Sequence, residues 1–157
     1  MNTINEKPAL KAFDLTKRAP RSPRVKLGGY TWLARLLDKA RADIAGKVGE
    51  YHTNCPMDQM WLQFVGVDYN EIRGELEEGA GDTEILEWVA ANAKTHRQSW
   101  EIDAWNAETE KAAPVPGTEM MDYLVSTRNI YSERRSDVVN WFELIDLEDY
   151  GSFSGNV

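Results

Sequence analysis

Residues 33–44 read Leu-Ala-Arg-Leu-Leu-Asp-Lys-Ala-Arg-Ala-Asp-Ile, and this stretch decides the fold class. Its apolar members recur at helical spacing along one face: Leu33, Leu36, Leu37, Ala40 and Ile44. Such a stripe is typical of an amphipathic helix that packs on a core. Gly46 follows at a position where a left-handed glycine commonly ends a helix. The stretch therefore predicts a core helix.

Six more helical segments follow this one. Pro56 suits a first helical position, and an apolar face then runs to Gly66: Met57, Met60, Trp61, Phe64 and Val65. The remaining segments are predicted to begin at the capping residues Asp68, Asp82, Thr95, Thr118 and Ser136. Alternating β-branched runs and Asn-Gly or Asp-Gly hairpin turns are missing from the sequence. We therefore expect an all-α fold, a single compact domain of about seven short helices.

Charge divides the chain into two parts. Residues 1–27 carry a balance of +5 within a total of -8, so the rest of the chain stands at -13. Pro8, Pro20 and Pro23 make this first part extended rather than helical. We expect an extended basic arm at 1–27 that packs on an acidic helical domain at 28–157. Because the body is acidic, nucleic acid is disfavoured as a partner.

The last predicted helix gathers carboxylates where its dipole is already negative. They are Glu143, Asp146, Glu148 and Asp149, and no Lys or Arg follows Arg135. A broken local rule of this kind suggests compensation or function. We expect the arm, with Lys17, Arg18, Arg21 and Arg24, to dock on the acidic body beside this helix. The competing interpretation is that the arm and the carboxylates are both solvated.

The composition also indicates the cellular compartment in which the protein is expected. A single cysteine cannot form an intramolecular disulfide, and no window approaches the 18 or so apolar residues of a membrane span. We expect a cytoplasmic protein without a membrane partner, and a homo-oligomer stays open.

Reactive side chains crowd the loop from Gly49 to Asp58. His52, Cys55 and Asp58 are spaced three apart, but structural zinc sites usually take four Cys or His ligands and only His96 remains. We therefore expect no metal and no cofactor. The same three residues are weak candidates for catalysis, since a packed cysteine is the commoner outcome.

A polar pocket is the second candidate site. If the first helix meets the loop before Pro56, polar groups from both can line one cavity: Arg35, Asp38, Lys39, Arg41, Tyr51, Asn54 and Asp58. The ligand-binding candidates among them are Asp38, Arg41, Tyr51, Asn54 and Asp58. The competing interpretation is a structural hydrogen-bond network.

Several ordered runs carry a family resemblance. They include residues 14–18, 22–25, 27–30, 36–41, 49–51, 54–58 and 137–144. The chain resembles a family of small bacterial proteins catalogued as domain of unknown function 5069, from about Asp14 to Asp149. This resemblance implies a bacterial cytosolic protein whose arm belongs to the domain, and it brings no activity or ligand.

These observations favour a binding or interaction module for a protein partner or a small molecule. The alternative is an enzyme that uses the polar loop around Tyr51 to Asp58, with Cys55 or a carboxylate as its reactive group.

Overall fold

The computed structural model describes residues 9–157, which form seven helices. These are α1 (Leu33–Ile44), α2 (Pro56–Val65), α3 (Tyr69–Glu77), α4 (Asp82–Asn92), α5 (Ser99–Lys111), α6 (Glu119–Tyr131) and α7 (Trp141–Ser152). Within this part of the chain, β-pairing is limited to one bridge between Leu27 and Tyr30. The expected all-α single domain is confirmed.

Helix α1 lies at the centre of the core. Every residue from 33 to 42 is buried, because neighbouring elements cover the polar as well as the apolar side of the helix. The predicted inward positions of Leu36 and Trp61 are confirmed, since both are almost fully buried. Met60 was expected on the same face as Trp61, but it is exposed, so the apolar face of α2 is narrower than predicted.

Two apolar clusters hold the helices together. The larger one joins α1 to α2, α3 and α4 and also receives Phe142 from α7. The smaller one joins α6 and α7 through Leu124, Val138, Leu144 and Leu147. Helix α7 therefore lies beside α6, and residues of both helices line the site described below.

Several predicted helix ends are confirmed. Gly46 and Gly66 follow α1 and α2 with φ values of 69° and 72°, the left-handed conformation expected of them. Asp68 accepts a hydrogen bond from the N–H of Asn70, and Thr118 accepts one from Met121. These caps satisfy donors that a helix N-terminus leaves unpaired.

Helix α4 begins differently from the prediction. Gly81, not Asp82, is the capping residue, and its N–H donates to the Glu84 carboxylate at 3.1 Å. Asp82 is the first helical residue, and its side chain instead accepts hydrogen bonds from Arg21 and Arg41. A tertiary ion-pair network has replaced the local cap.

Two more helices start later than predicted. The N-cap of α5 is Gln98 rather than Thr95, whose N–H donates to the carbonyl of Val65, the last residue of α2. Helix α7 is capped by Asn140 rather than Ser136, and the Asn140 side chain accepts from the N–H of Glu143 at 2.9 Å. Thr95 lies in a bend and Ser136 in a turn, so each helix begins about one turn after the first candidate in the sequence.

Residues 9–27 contact the helical body at several points. Leu15 is buried, and its N–H donates to the Lys47 carbonyl at 2.9 Å. The Arg24 guanidinium donates from Nε to Asp146 of α7 at 3.0 Å. Pro20 and Pro23 are buried as well. The part of the predicted arm that precedes residue 9 lies outside the described residues.

Candidate functional site

A cavity of about 650 Å³ opens between the end of α7, α6 and the loop after α1. We call it the Tyr51 pocket. It is lined by Leu15, Thr16, Arg35, Gly49, Glu50, Tyr51, His52, Tyr123, Tyr131, Glu148, Asp149, Ser152 and Phe153. Its volume falls within the range typical of small-molecule sites, and its lining mixes aromatic rings with a few ionisable groups.

The loop that forms one wall depends on a glycine. Gly49 has a φ of 60°, and a Cβ at this position would lie 3.0 Å from the Leu15 carbonyl oxygen. A larger residue would therefore be strained and would press on the backbone of the arm. This close approach places Tyr51 and His52 at the edge of the cavity.

An ion pair between α1 and α7 forms the base of the pocket. The Arg35 guanidinium donates to both oxygens of Asp149, at 2.7 Å and 3.2 Å. The Tyr51 hydroxyl donates to Oδ1 of the same carboxylate at 2.8 Å. Both charged side chains are largely buried, at 6% and 13% exposure. A bidentate pair in this setting fixes the orientation of both side chains and of the Tyr51 ring.

Burial changes the titration of two groups in the pocket. It raises the pKa of the Tyr51 hydroxyl well above its usual value, and the neighbouring Asp149 charge adds to the effect. It also raises the pKa of Glu148, again with a contribution from Asp149, while Arg35 opposes the shift. Within residues 9–157 the Glu148 carboxylate has no hydrogen bond or ion pair. Glu148 is therefore a half-buried acid without a direct partner.

A fully buried polar cluster lies between α1 and α2. The Lys39 ammonium donates to both Asp58 oxygens at 3.0 Å and 3.1 Å, and to the His52 carbonyl at 2.9 Å. The Trp32 indole N–H donates to Asp58 at 2.8 Å. Cys55 Sγ lies 3.5 Å from Lys39 Nζ. This cluster joins the loop at 52–55 to α1, and neither Lys39, Cys55 nor Asp58 lines the Tyr51 pocket.

A second cavity, of about 820 Å³, lies where the arm meets the turn before α4. We call it the Arg21 pocket, and its charged lining includes Arg21, Asp38, Arg41 and Asp82. Arg21 donates to Asp38 at 2.9 Å and to Asp82 at 2.7 Å, while Arg41 donates to Asp82 at 2.8 Å. Burial opposes ionisation of Asp82, but the two guanidinium groups outweigh it and lower its pKa. These four charges neutralise one another.

The structure separates the five residues predicted to share a binding pocket. Tyr51 lines the Tyr51 pocket, whereas Asp38 and Arg41 line the Arg21 pocket. Asn54 is exposed, with a φ of 50°, and its side chain accepts from the Gln59 amide. Asp58 is buried with Lys39. No single cavity therefore collects these groups.

The three residues considered for catalysis are also dispersed. His52 lines the Tyr51 pocket, Asp58 is sealed in the core, and Cys55 is half-buried at the start of α2. The Asp58 carboxylate accepts from the Cys55 N–H at 3.3 Å, as a capping residue does. In the described part of the chain no three His, Cys, Asp or Glu side chains converge as metal ligands.

Sequence reasoning did not assign the groups that dominate the Tyr51 pocket. These are Glu148 and Asp149, together with Tyr123, Tyr131 and Phe153. Arg35, by contrast, was expected in one polar pocket with Tyr51, and both line this cavity. One signal pointed to Glu148 and Asp149, namely the excess of carboxylates at the negative end of α7. The structure compensates that excess from two directions, since Asp146 pairs with Arg24 and Asp149 pairs with Arg35. Among residues 9–157, no basic side chain pairs with Glu148 in the same way.

Comparison with known proteins adds a family. The model of the family described as Domain of unknown function (DUF5069) matches residues 17–151. No curated protein matches the sequence significantly. No helix among residues 9–157 combines the length and apolar character needed to cross a membrane.

Proposed function

Since the chain belongs to the family described as Domain of unknown function (DUF5069), which assigns no reaction, we propose a function from the geometry of the structure. The protein is a binding module that holds a small molecule in the Tyr51 pocket. One observation carries the proposal. A cavity of about 650 Å³ has a wall fixed by the Arg35–Asp149–Tyr51 contacts and a carboxylate, Glu148, that lacks a direct partner. Preformed walls with a few convergent polar groups are typical of ligand sites.

The Arg21 pocket supports such a role less well. The two guanidinium groups and two aspartates at its centre already pair with one another, so a ligand that used them would have to break ion pairs before forming its own. A buried or half-buried pair that loses one partner leaves an uncompensated charge, which is costly. In the Tyr51 pocket the pair of Arg35 and Asp149 can stay intact while a ligand contacts Glu148 and the aromatic rings.

A charge-balanced fragment library tests the proposal by NMR of the isotopically labelled protein. Binding should shift the amides of residues 49–52 and 148–153. The blocking variant is Ser152→Trp, which places an indole at the pocket lining, and the control is Ser126→Trp on the exposed side of α6. Loss of binding in the first variant alone supports the proposal. A library without any compound that shifts these amides contradicts it.

An enzyme is the second candidate, and the raised pKa of Glu148 favours it. A carboxyl group whose pKa is raised by burial is more readily protonated than an exposed one, as general acid–base chemistry requires, and His52 lines the same cavity. Turnover of a bound library compound by the parent protein, with loss of turnover but retained binding in Glu148→Gln, would support this candidate. If the compounds are unchanged after long incubation, the result contradicts the enzyme, and the binding role remains.

Cys55 separates the binding module from an enzyme with a cysteine nucleophile. Cys55 lines neither the Tyr51 pocket nor the Arg21 pocket and is packed against the core. We expect Cys55→Ser to leave ligand binding intact and to change stability modestly, because serine caps a helix better but packs less well. Alkylation of the native protein should accelerate on unfolding. Complete loss of function in a folded Cys55→Ser protein would contradict the binding module.

A further inference from the structure

We infer that the ligand of the Tyr51 pocket is a small organic cation, a molecule with an ammonium or quaternary ammonium group. The inference rests on the proposed function and specifies the ligand class of the same site. It depends on the charges that the pocket leaves uncompensated, on the rings around them and on the way both are held.

The charge balance of the lining is negative. Three carboxylates, those of Glu50, Glu148 and Asp149, face one permanent cation, Arg35. Arg35 is fully engaged, because its two terminal nitrogens donate to the two oxygens of Asp149. Because Arg35 is bonded to Asp149, it acts on the half-buried Glu148 only through a longer-range attraction, and no other permanent cation belongs to the described lining. A cation in the cavity would supply the partner that this half-buried carboxylate lacks.

Aromatic rings provide the second part of cation recognition. Tyr51, Tyr123, Tyr131 and Phe153 line the cavity. The face of an aromatic ring attracts a cation within about 6 Å, and the attraction grows when water is excluded. The pocket already uses this chemistry once, since the Arg35 guanidinium carbon lies 5.5 Å from the centre of the Tyr51 ring.

The position of the Tyr131 ring is fixed by a glycine. A Cβ at Gly151 of α7 would lie 2.3 Å from Cδ1 of Tyr131, so the ring packs where a side chain would otherwise be. The Tyr131 hydroxyl also lies 3.0 Å from the Ser152 hydroxyl. The ring is thereby held against the end of α7 that carries Glu148 and Asp149, which brings an aromatic ring and two carboxylates to one side of the cavity.

Other ligand charges fit less well. An anion would face Glu50 and Glu148 and would have to compete with Asp149 for Arg35. A neutral molecule of the same shape would leave Glu148 without a partner. The difference in binding affinity between a cation and its neutral isostere therefore tests the inference directly.

Choline and 3,3-dimethylbutan-1-ol form such a pair, since they share a shape and differ in charge. We expect choline in a mildly alkaline buffer to shift the amides of residues 49–52 and 148–153 at millimolar concentration, and the alcohol to bind about tenfold more weakly. Equal binding of the two probes would overturn the inference, as would a failure of choline to bind. The proposed function would survive either result if another library compound binds the pocket.

Two charge variants locate the effect. Glu148→Gln should weaken choline binding about tenfold and leave the affinity for the alcohol unchanged. Glu87→Gln is the matched control, because this exposed residue of α4 loses the same charge away from the pocket. Glu50→Gln, in the exposed loop, provides a second variant that does not depend on the packing of α7. Equal weakening by Glu87→Gln would reduce the effect to net charge and overturn the inference.

Discussion

Replacing Lys39 with methionine gives the sharpest test of what holds α1 to the loop before α2. Methionine approximates the length of the lysine side chain but removes its ammonium group. The variant loses the donors to both Asp58 oxygens, at 3.0 Å and 3.1 Å, and to the His52 carbonyl at 2.9 Å. Asp58 keeps the Trp32 indole and the Cys55 N–H as donors. The carboxylate would then be buried without a counter-charge.

The expected cost follows from the burial of both groups. The side chains of Lys39 and Asp58 are 4% and 1% exposed, so solvent screens their attraction very little. Removing one partner of such a buried pair typically costs about 3–5 kcal/mol. For a chain of this size this corresponds to a fall in Tm of roughly 6–20 °C. The double variant Lys39→Met with Asp58→Asn should recover part of this loss, because no unpaired charge remains.

Urea unfolding followed by circular dichroism and tryptophan fluorescence measures these free energies. The matched control is Lys26→Met, which removes an exposed lysine of the arm and should change stability by no more than about 0.5 kcal/mol. A cost below about 1 kcal/mol for Lys39→Met would refute the reasoning. A double variant as unstable as the sum of the two single variants would refute the coupling between Lys39 and Asp58.

Three further predictions concern the core, the pocket and the arm. Leu36→Ala should lower the free energy of unfolding by about 2–5 kcal/mol, because the side chain is 1% exposed in the central helix. Met60→Ala, on the exposed side of α2, is its control, and an equal cost for the two would contradict the described core. Burial, with a contribution from Asp149, raises the pKa of Glu148 in the folded state, so stability present below its unfolded pKa is lost as the pH rises through the folded value. Glu148→Gln cannot ionise and should be more stable than the parent at neutral pH; the advantage should vanish below about pH 4, and an undiminished advantage in acid would exclude this cause. Deletion of residues 1–26 should lower the Tm at both low and high salt, since it removes the buried Leu15 as well as the ion pair of Arg24 with Asp146. An unchanged Tm, or fast hydrogen exchange at the Leu15 amide in the intact protein, would show that the arm does not pack on the body.

The sequence placed part of the candidate site and missed the rest for a definable reason. Tyr51 and His52 were selected because reactive groups crowd one loop, and both line the Tyr51 pocket. Asp38 and Arg41 were placed off the apolar face of α1, but they line a different cavity. Periodicity shows that a residue leaves the apolar face of its helix. It does not show which neighbouring element covers the polar face.

Helix boundaries also divide into those that local residues set and those that a tertiary contact changes. Gly46, Gly66 and Thr118 act through their own backbone or the next turn, and the structure places them as the sequence predicted. Asp82 is also a residue type that commonly caps helices, yet its carboxylate accepts hydrogen bonds from Arg21 and Arg41, which are 61 and 41 residues away. Two guanidinium groups, each with a full positive charge, replaced the backbone N–H groups as partners of this carboxylate.

The sequence by itself determined the seven helices, the buried face of α1 and the family, because each of these is encoded in spacings of a few residues. Only the tertiary structure decided that Arg35 meets Asp149 across 114 residues and that Tyr51 joins them. Packing then placed Glu148 in a cavity with four aromatic rings and without a direct partner among residues 9–157. Burial and pairing of a charge depend on which elements meet in space, and no local pattern along the chain records that.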